Sequence, residues 1–189
     1  MIRITGISGS LRKGSFNTAL LRAVTQIIPS DCNLEVVRLN QIPLYNADVE
    51  VSEGIPVPVQ NLKDRIADCD ALLLATPEYN SSIPGVFKNA IDWLSRPTED
   101  IARIFRNKPV GIIGASTGSF GTMLSQVAWL PVLRALGTRV WFGRTCYISN
   151  AETVFDESGQ LVDKGAFGRL EAYISGFVEF TRQVTQERE

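Results

Sequence analysis

The feature that most constrains the fold is a fivefold alternation between short apolar segments and segments whose apolar residues recur at helical spacing. The apolar segments have the length and the residue types of β-strands. We predict these strands over residues 2–8, 34–39, 71–76, 110–116 and 140–148. We predict helices over residues 17–28, 59–68, 84–94, 124–136 and 164–183. Strands and helices that alternate in this way form an α/β fold, here a doubly wound five-stranded parallel sheet with helices on both faces.

The length of the chain and its irregular segments complete this prediction. A chain of 189 residues suits one domain that spans residues 1–189. Residues 40–58 are polar, contain prolines and show no periodicity, so they are predicted to form a long surface loop. The charged residues 182–189 are predicted to be a solvated, fraying terminus.

The composition limits the chemistry that side chains can perform. The chain contains no histidine, which removes the commonest metal ligand and the usual general base near neutral pH. Its three cysteines are far apart and never form a Cys-x-x-Cys pair, which is typical of reduced thiols in a cytoplasmic protein. Any catalysis must therefore come from a cofactor or from carboxylates.

The charge balance and the hydropathy exclude two classes of partner. There are 19 basic and 20 acidic side chains, so no basic field is expected to attract a nucleic acid. No apolar run approaches the roughly 20 residues that a membrane span needs. Residues 1–4 lack the basic-then-apolar pattern of a secretory signal, so export is not expected either.

Three loops rich in small residues follow the first, third and fourth strands. In a doubly wound sheet these loops meet at the carboxyl edge, where ligands bind. The first loop, residues 8–17, offers backbone N–H groups, two serine hydroxyls, Arg12 and a helix N-terminus, a set that suits a phosphate group. It lacks the Lys-Ser/Thr of a Walker loop and the three glycines of a dinucleotide fingerprint, which favours a single terminal phosphate. The alternative is an ordinary turn in which Ser15 or Asn17 caps the helix.

The second and third loops could hold a flat ring. The second loop, residues 76–82, combines a rigid proline, an aromatic face and an amide, although it could also be a simple turn with Tyr79 as a lid. Glu78 is one carboxylate without a visible partner, so it is more typical of a solvated residue or a helix cap than of a general base. The third loop, residues 116–122, has glycines that allow close approach of a planar ligand, or it is a plain connection.

At these loops the sequence resembles the NADPH-dependent FMN reductase family of flavodoxin-like proteins, especially its quinone- and chromate-reducing branch. Residues 9–17 (Gly-Ser-Leu-Arg-Lys-Gly-Ser-Phe-Asn) resemble the family's flavin-phosphate loop. Residues 76–80, 84–85 and 88–95 resemble its flavin-ring loop and the following helix. The two motifs recur in the right order and at the right separation.

The resemblance implies an FMN cofactor and specific residues that bind it. It implies that the phosphate is held by residues of the first loop: Ser10, Arg12, Ser15, Phe16 through its backbone, and Asn17. It implies that the ring and the ribityl chain contact residues of the second loop: Pro77, Glu78, Tyr79 and Asn80. It also implies that Ser116 and Gly118 close the other side of the ring, while it assigns no contact around Gly121.

The activity implied by the resemblance is hydride transfer from NADPH or NADH through FMN to a quinone or a similar two-electron acceptor, such as an azo dye or chromate. This activity needs no catalytic side chain and no metal. One alternative is a flavin reductase that supplies reduced FMN to a partner enzyme. Another is a non-catalytic flavodoxin-like electron carrier, which usually has a strongly acidic face that a net charge of -1 argues against. The resemblance further implies a homodimer or a homotetramer.

Overall fold

Six short strands form one parallel sheet in the computed structural model, which describes residues 1–187. The strands are β1 Ile2–Ser8, β2 Cys32–Arg38, β3 Ala71–Ala75, β4 Pro109–Ala115, β5 Arg139–Val140 and β6 Tyr147–Ile148. Their order is β2-β1-β3-β4-β5, and β6 also pairs with β4. The order reverses between β1 and β3, which makes this the point where a ligand is expected.

Helices cover both faces of the sheet, as predicted. They are α1 Phe16–Ile27, α2 Ala47–Glu53, α3 Val57–Asp68, α4 Gly85–Leu94, α5 Ile101–Ile104, α6 Met123–Ala135, α7 Ala151–Val154 and α8 Lys164–Gln186. On one face α1 and α8 pack on the sheet through side chains such as Leu20 and Phe177. On the other face α3, α4 and α6 contribute Ile66, Phe87 and Trp129 to a second core. The predicted α/β class and the parallel doubly wound sheet are confirmed.

The predicted surface loop over residues 40–58 is wrong, because it contains α2 and the start of α3. The side chain of Asn46 caps α2 by accepting a hydrogen bond from the Asp48 N–H at 2.9 Å. Gly54 follows the helix at a φ of 79°. None of the residues of α2 is buried, so the helix has no apolar face that a periodicity analysis could detect.

The predicted fifth strand, residues 140–148, is also wrong, because it is divided into β5 and β6. Val110 of β4 pairs with Val140, and Gly114 pairs with Tyr147. Between these two pairs β4 advances by four residues, whereas the facing segment advances by seven. The surplus residues leave the sheet directly after Trp141, whose indole packs against α8. A Cβ on Gly176 of α8 would lie 2.6 Å from that indole.

The break in the ladder is repaired by a side chain from α8. The backbone N–H of Ile112 on β4 donates a hydrogen bond to the buried hydroxyl of Tyr173 at 2.7 Å. The ring of Tyr173 also meets Trp141 edge to face, with ring centroids 4.7 Å apart. Tyr173 thus supplies the acceptor that a continuous fifth strand would have supplied.

Tyr173→Phe is expected to lower the free energy of unfolding by about 1–3 kcal/mol, because it leaves the Ile112 N–H buried without a partner. Urea unfolding monitored by circular dichroism measures this change. Tyr147→Phe is the matched control, since no hydrogen bond joins the Tyr147 hydroxyl to the described residues. Equal stability of the two variants would contradict the role of Tyr173.

The C-terminal helix α8 is longer than predicted. It continues to Gln186, and Arg182 pairs with Asp31 at 2.7 Å, so the prediction that the segment frays from residue 182 is wrong. Residues 188–189 of that predicted segment lie outside the described residues. Within residues 1–187, none of the helices is long and apolar enough to cross a membrane.

Candidate functional site

The three small-residue loops meet at the carboxyl ends of β1, β3 and β4 and enclose an open cleft with a volume of about 110 Å³. The residues that line it are Ser10, Arg12, Ser15, Phe16, Asn17, Pro77, Glu78, Tyr79, Ala115, Ser116 and Thr117. Asn80 and Gly118, the remaining two of the predicted site residues, do not line the cleft. Ala115 and Thr117 were missed by the sequence analysis, although they flank the predicted Ser116.

The first loop ends in a capped helix whose first N–H groups stay available. Ser15 is the N-cap of α1, since its hydroxyl accepts a hydrogen bond from the Thr18 N–H at 3.2 Å. Its carbonyl accepts from the Ala19 N–H at 2.9 Å. No acceptor for the backbone N–H of Phe16 or Asn17 lies among residues 1–187. The predicted cap is therefore present, and two N–H donors at the positive end of the helix belong to residues that line the cleft.

Arg12 places a cation at this end of the cleft. Its side chain is exposed, and its guanidinium makes no hydrogen bond or ion pair with the described residues. The buried hydroxyl of Ser10 lies beside it and accepts a long hydrogen bond, 3.4 Å, from the Arg12 backbone N–H. A guanidinium, hydroxyls and helix N–H groups are the donor set that binds phosphate.

Asn17 uses its side chain for structure. Its amide donates to the Ala115 carbonyl and accepts from the Ala115 N–H, both at 2.9 Å, so it pairs with the end of β4 as a strand residue would. The side chain is buried. Only the backbone N–H of Asn17 therefore remains for a ligand in the cleft.

The second loop is a tight hairpin turn. Tyr79 and Ser82 exchange backbone hydrogen bonds of 3.2 and 3.1 Å, and the two residues between them, Asn80 and Ser81, have φ values of 51° and 60°. Left-handed backbone at both central positions is typical of a type I′ turn, which asparagine tolerates. Asn80 therefore shapes the turn, and Tyr79 stands half exposed at the rim of the cleft.

Glu78 caps a neighbouring helix, as one of the two alternatives predicted. Its carboxylate accepts a hydrogen bond from the Ser125 N–H, in the first turn of α6, at 3.0 Å. The Ser125 hydroxyl in turn bonds Thr76, to which Trp129 donates its indole N–H at 3.1 Å. The second loop is thus fixed to α6 through Thr76 and Glu78.

Glu78→Ala is expected to destabilise the protein by roughly 1 kcal/mol, the usual cost of losing an N-terminal helix acceptor. Glu78→Gln keeps an oxygen acceptor and should cost less. Because the carboxylate is a cap, Glu78→Gln should also keep the wild-type shape of the pH dependence of turnover between pH 5 and 9. Thermal unfolding and pH–rate profiles measure both effects, with the exposed Glu171→Ala as control. If Glu78→Gln lost the acidic or the basic limb of the pH–rate profile, Glu78 would instead act as a general acid or a general base in turnover.

The third loop is held by its own serine. The Ser116 hydroxyl donates to the Gly121 carbonyl at 2.7 Å and accepts from the Gly118 N–H at 3.2 Å. The Gly118 carbonyl accepts from the Asn150 N–H. Gly121 has a φ of 62°, and a Cβ there would lie 3.0 Å from Tyr147, so the turn requires glycine.

A family model described as NADPH-dependent FMN reductase matches residues 2–153, which is most of the chain. The chain belongs to the NADPH-dependent FMN reductase family. The resemblance found in the sequence is therefore confirmed, and FMN is the cofactor and NAD(P)H the electron donor that this family uses.

Individual relatives agree with the family. The chain is 44% identical over 165 residues to an NAD(P)H-dependent FMN reductase of Pseudomonas aeruginosa, with 87% of each chain covered. It is 35% identical to a quinone reductase of Escherichia coli, with 97% of each chain covered. Among solved structures, the flavoenzyme NAD(P)H:(acceptor) oxidoreductase FerB of Paracoccus denitrificans superposes with a TM-score of 0.86 at 31% identity, over 97% of this chain and 98% of that one.

The cleft of this family member fits an FMN molecule in its chemistry. One end carries hydroxyls, N–H groups and an unpaired guanidinium for a dianionic phosphate, while the other end has Pro77, Tyr79 and backbone groups for a flat heterocycle. The helix motif at residues 88–95 has a structural role in α4. Asn89 and Trp93 both donate hydrogen bonds to the Pro43 carbonyl, at 2.8 and 3.0 Å, and so fix the segment before α2 to α4.

Proposed function

We propose that this chain is an FMN-dependent NAD(P)H oxidoreductase that passes hydride from NADPH or NADH to a quinone or a similar two-electron acceptor, such as an azo dye or chromate. The observation that carries the proposal is the single cleft in which a phosphate-binding donor set and a ring-binding loop face each other. Relatives named as quinone reductases support the acceptor class.

In this proposal the first loop binds the phosphate of FMN. Arg12 supplies the positive charge, and the hydroxyls of Ser10 and Ser15 and the backbone N–H groups of Phe16 and Asn17 supply hydrogen bonds. The free N–H groups at the start of α1 support this assignment, because a helix N-terminus favours an anion. The side chain of Asn17 contributes through the fixed position of α1.

The second and third loops orient the isoalloxazine ring and the ribityl chain. Pro77, Glu78 and Tyr79 contact the flavin largely through their backbone, and Asn80 sets the turn that presents them. Ser116 closes the opposite side, and Gly118, which lies outside the cleft lining, supports it by donating its N–H to the Ser116 hydroxyl. Backbone donors close to the ring would stabilise the negative charge that reduction places on it.

When bound, FMN supplies the hydride chemistry, which no side chain of this chain could supply. The residues of the second and third loops would hold the ring, and the open side of the cleft would leave room for the nicotinamide and then for the acceptor. The Glu78 carboxylate accepts a hydrogen bond from the Ser125 N–H of α6, so no acid or base role is assigned to it.

The whole chain, residues 1–189, is proposed to form one FMN-binding domain that assembles as a homodimer or homotetramer in the cytoplasm. Several large apolar side chains on and around α6 are exposed, which supports a subunit contact there: Phe120, Met123, Leu124, Val127 and Phe142. Three buried, unbridged cysteines support a reducing compartment. Analytical ultracentrifugation tests the assembly, and a monomer would contradict it.

Steady-state kinetics test the activity. Protein loaded with FMN and gel-filtered should oxidise NADPH or NADH when benzoquinone is present, with no free FMN added. The apoprotein should be inactive until FMN is restored. Faster turnover of free FMN than of any quinone would instead favour a flavin reductase that supplies reduced FMN, and no NAD(P)H oxidation at all would favour an electron carrier.

A further inference from the structure

Arg38 supports the first loop from the neighbouring strand. It is the last residue of β2 and is in register with Ser8, the last residue of β1. Its guanidinium Nη2 donates to two successive backbone carbonyls of the first loop, Leu11 at 3.0 Å and Arg12 at 2.9 Å. The amide of Asn40 donates to the same Leu11 carbonyl at 3.3 Å.

The position of this support is fixed by the core. Leu39 lies between Arg38 and Asn40 and is buried among the residues of the second core. Because successive side chains of an extended segment point in opposite directions, burial of Leu39 directs Arg38 to the other side, where the first loop passes. Asn40 is exposed in the turn that follows and reaches the same loop.

The hydrogen bonds to the carbonyls also orient the N–H groups of the loop. In a trans peptide the C=O and the following N–H point in opposite directions. With the Leu11 and Arg12 carbonyls turned toward Arg38, the N–H groups of Arg12 and Lys13 turn away from it. The Arg12 N–H indeed points to the buried hydroxyl of Ser10, a residue that lines the cleft.

We infer that Arg38 is a positioning residue that holds the first loop in its anion-binding form and thereby sets the preference of the cleft for FMN over riboflavin. The inference rests on the proposed function, since it assumes that the first loop binds the phosphate. Arg38 acts through the loop backbone, whereas Arg12 lines the cleft itself.

The test measures the dissociation constants of FMN and of riboflavin from the quenching of their fluorescence by the apoprotein. Arg38→Met removes the donors and keeps a similar volume. It should weaken FMN binding about tenfold, as expected when a charged hydrogen-bond donor is lost. Riboflavin binding should be unchanged.

Arg38→Lys keeps a charged donor and should restore most of the FMN affinity. Arg139→Ala is the control, because it removes one positive charge at the opposite, amino end of the sheet.

A double-mutant cycle separates positioning from a simple charge effect. Because the Arg12 side chain moves with the loop that Arg38 holds, Arg38→Met should weaken FMN binding less in an Arg12→Ala background than in the wild type. Equal effects in both backgrounds, unchanged FMN affinity, or equal weakening of FMN and riboflavin would each overturn the inference. Failure of the wild-type protein to bind FMN would instead refute the proposed function.

Discussion

Asn17→Ala is expected to lower the free energy of unfolding by about 2–4 kcal/mol. The substitution leaves both the N–H and the C=O of Ala115 without their partner, and each buried unpaired group costs about 1–3 kcal/mol. Both hydrogen bonds are 2.9 Å long and buried, so water replaces them poorly. A small gain in helix propensity on going to alanine offsets part of the loss.

Urea unfolding of the apoprotein measures this effect. Gln26→Ala is the matched control, since Gln26 is an exposed amide on the same helix. Asn17→Asp sharpens the test, because a carboxylate can accept from the Ala115 N–H but cannot donate to the Ala115 carbonyl. It should therefore be at least as unstable as Asn17→Ala at neutral pH. If Asn17→Ala matched the stability of Gln26→Ala, the side chain would not join the first loop to β4.

Arg12→Ala is expected to weaken FMN binding roughly 10- to 100-fold. A hydrogen bond to a charged group contributes about 1.5–3 kcal/mol, and tenfold in affinity corresponds to about 1.4 kcal/mol. The side chain has no intramolecular partner within residues 1–187, so its removal should leave the stability of the apoprotein unchanged. Riboflavin, which lacks the phosphate, should bind the variant and the wild type equally.

Fluorescence titration at several salt concentrations measures the loss. The affinity of the wild type for FMN should fall with salt more steeply than that of Arg12→Ala, because a partly exposed ion pair is screened. Arg22→Ala, an exposed arginine further along α1, is the control. Unchanged FMN affinity in Arg12→Ala would remove the first loop as the phosphate site.

Local patterns were enough to predict most of the sheet and the place of the cleft. The strands β1, β3 and β4 are short apolar runs that end in small residues, and the carboxyl ends of parallel strands must share one edge. The Ser15 cap also follows from local sequence, because serine before a helical period is a strong start signal.

The features that sequence reasoning missed depend on distant partners or on exposure. Helix α2 has no buried residue and therefore no periodicity. At the break between β5 and β6, Trp141 packs against Gly176, which is far away in the chain. The pairing of Asn17 with Ala115 spans 98 positions, and Arg38 contacts Leu11 across 27. No property of the asparagine or the arginine itself indicates such partners.

The measurement that tests the central claim most directly is an anaerobic titration of the FMN-loaded protein with NADPH, followed by absorption near the flavin maximum. We expect the bound-flavin absorbance to bleach with about one equivalent of NADPH and to recover when benzoquinone is added, while the flavin stays on the protein during gel filtration. Stable FMN binding without bleaching by NADPH or NADH would contradict the oxidoreductase account. Absence of FMN binding would contradict the assignment of all three loops.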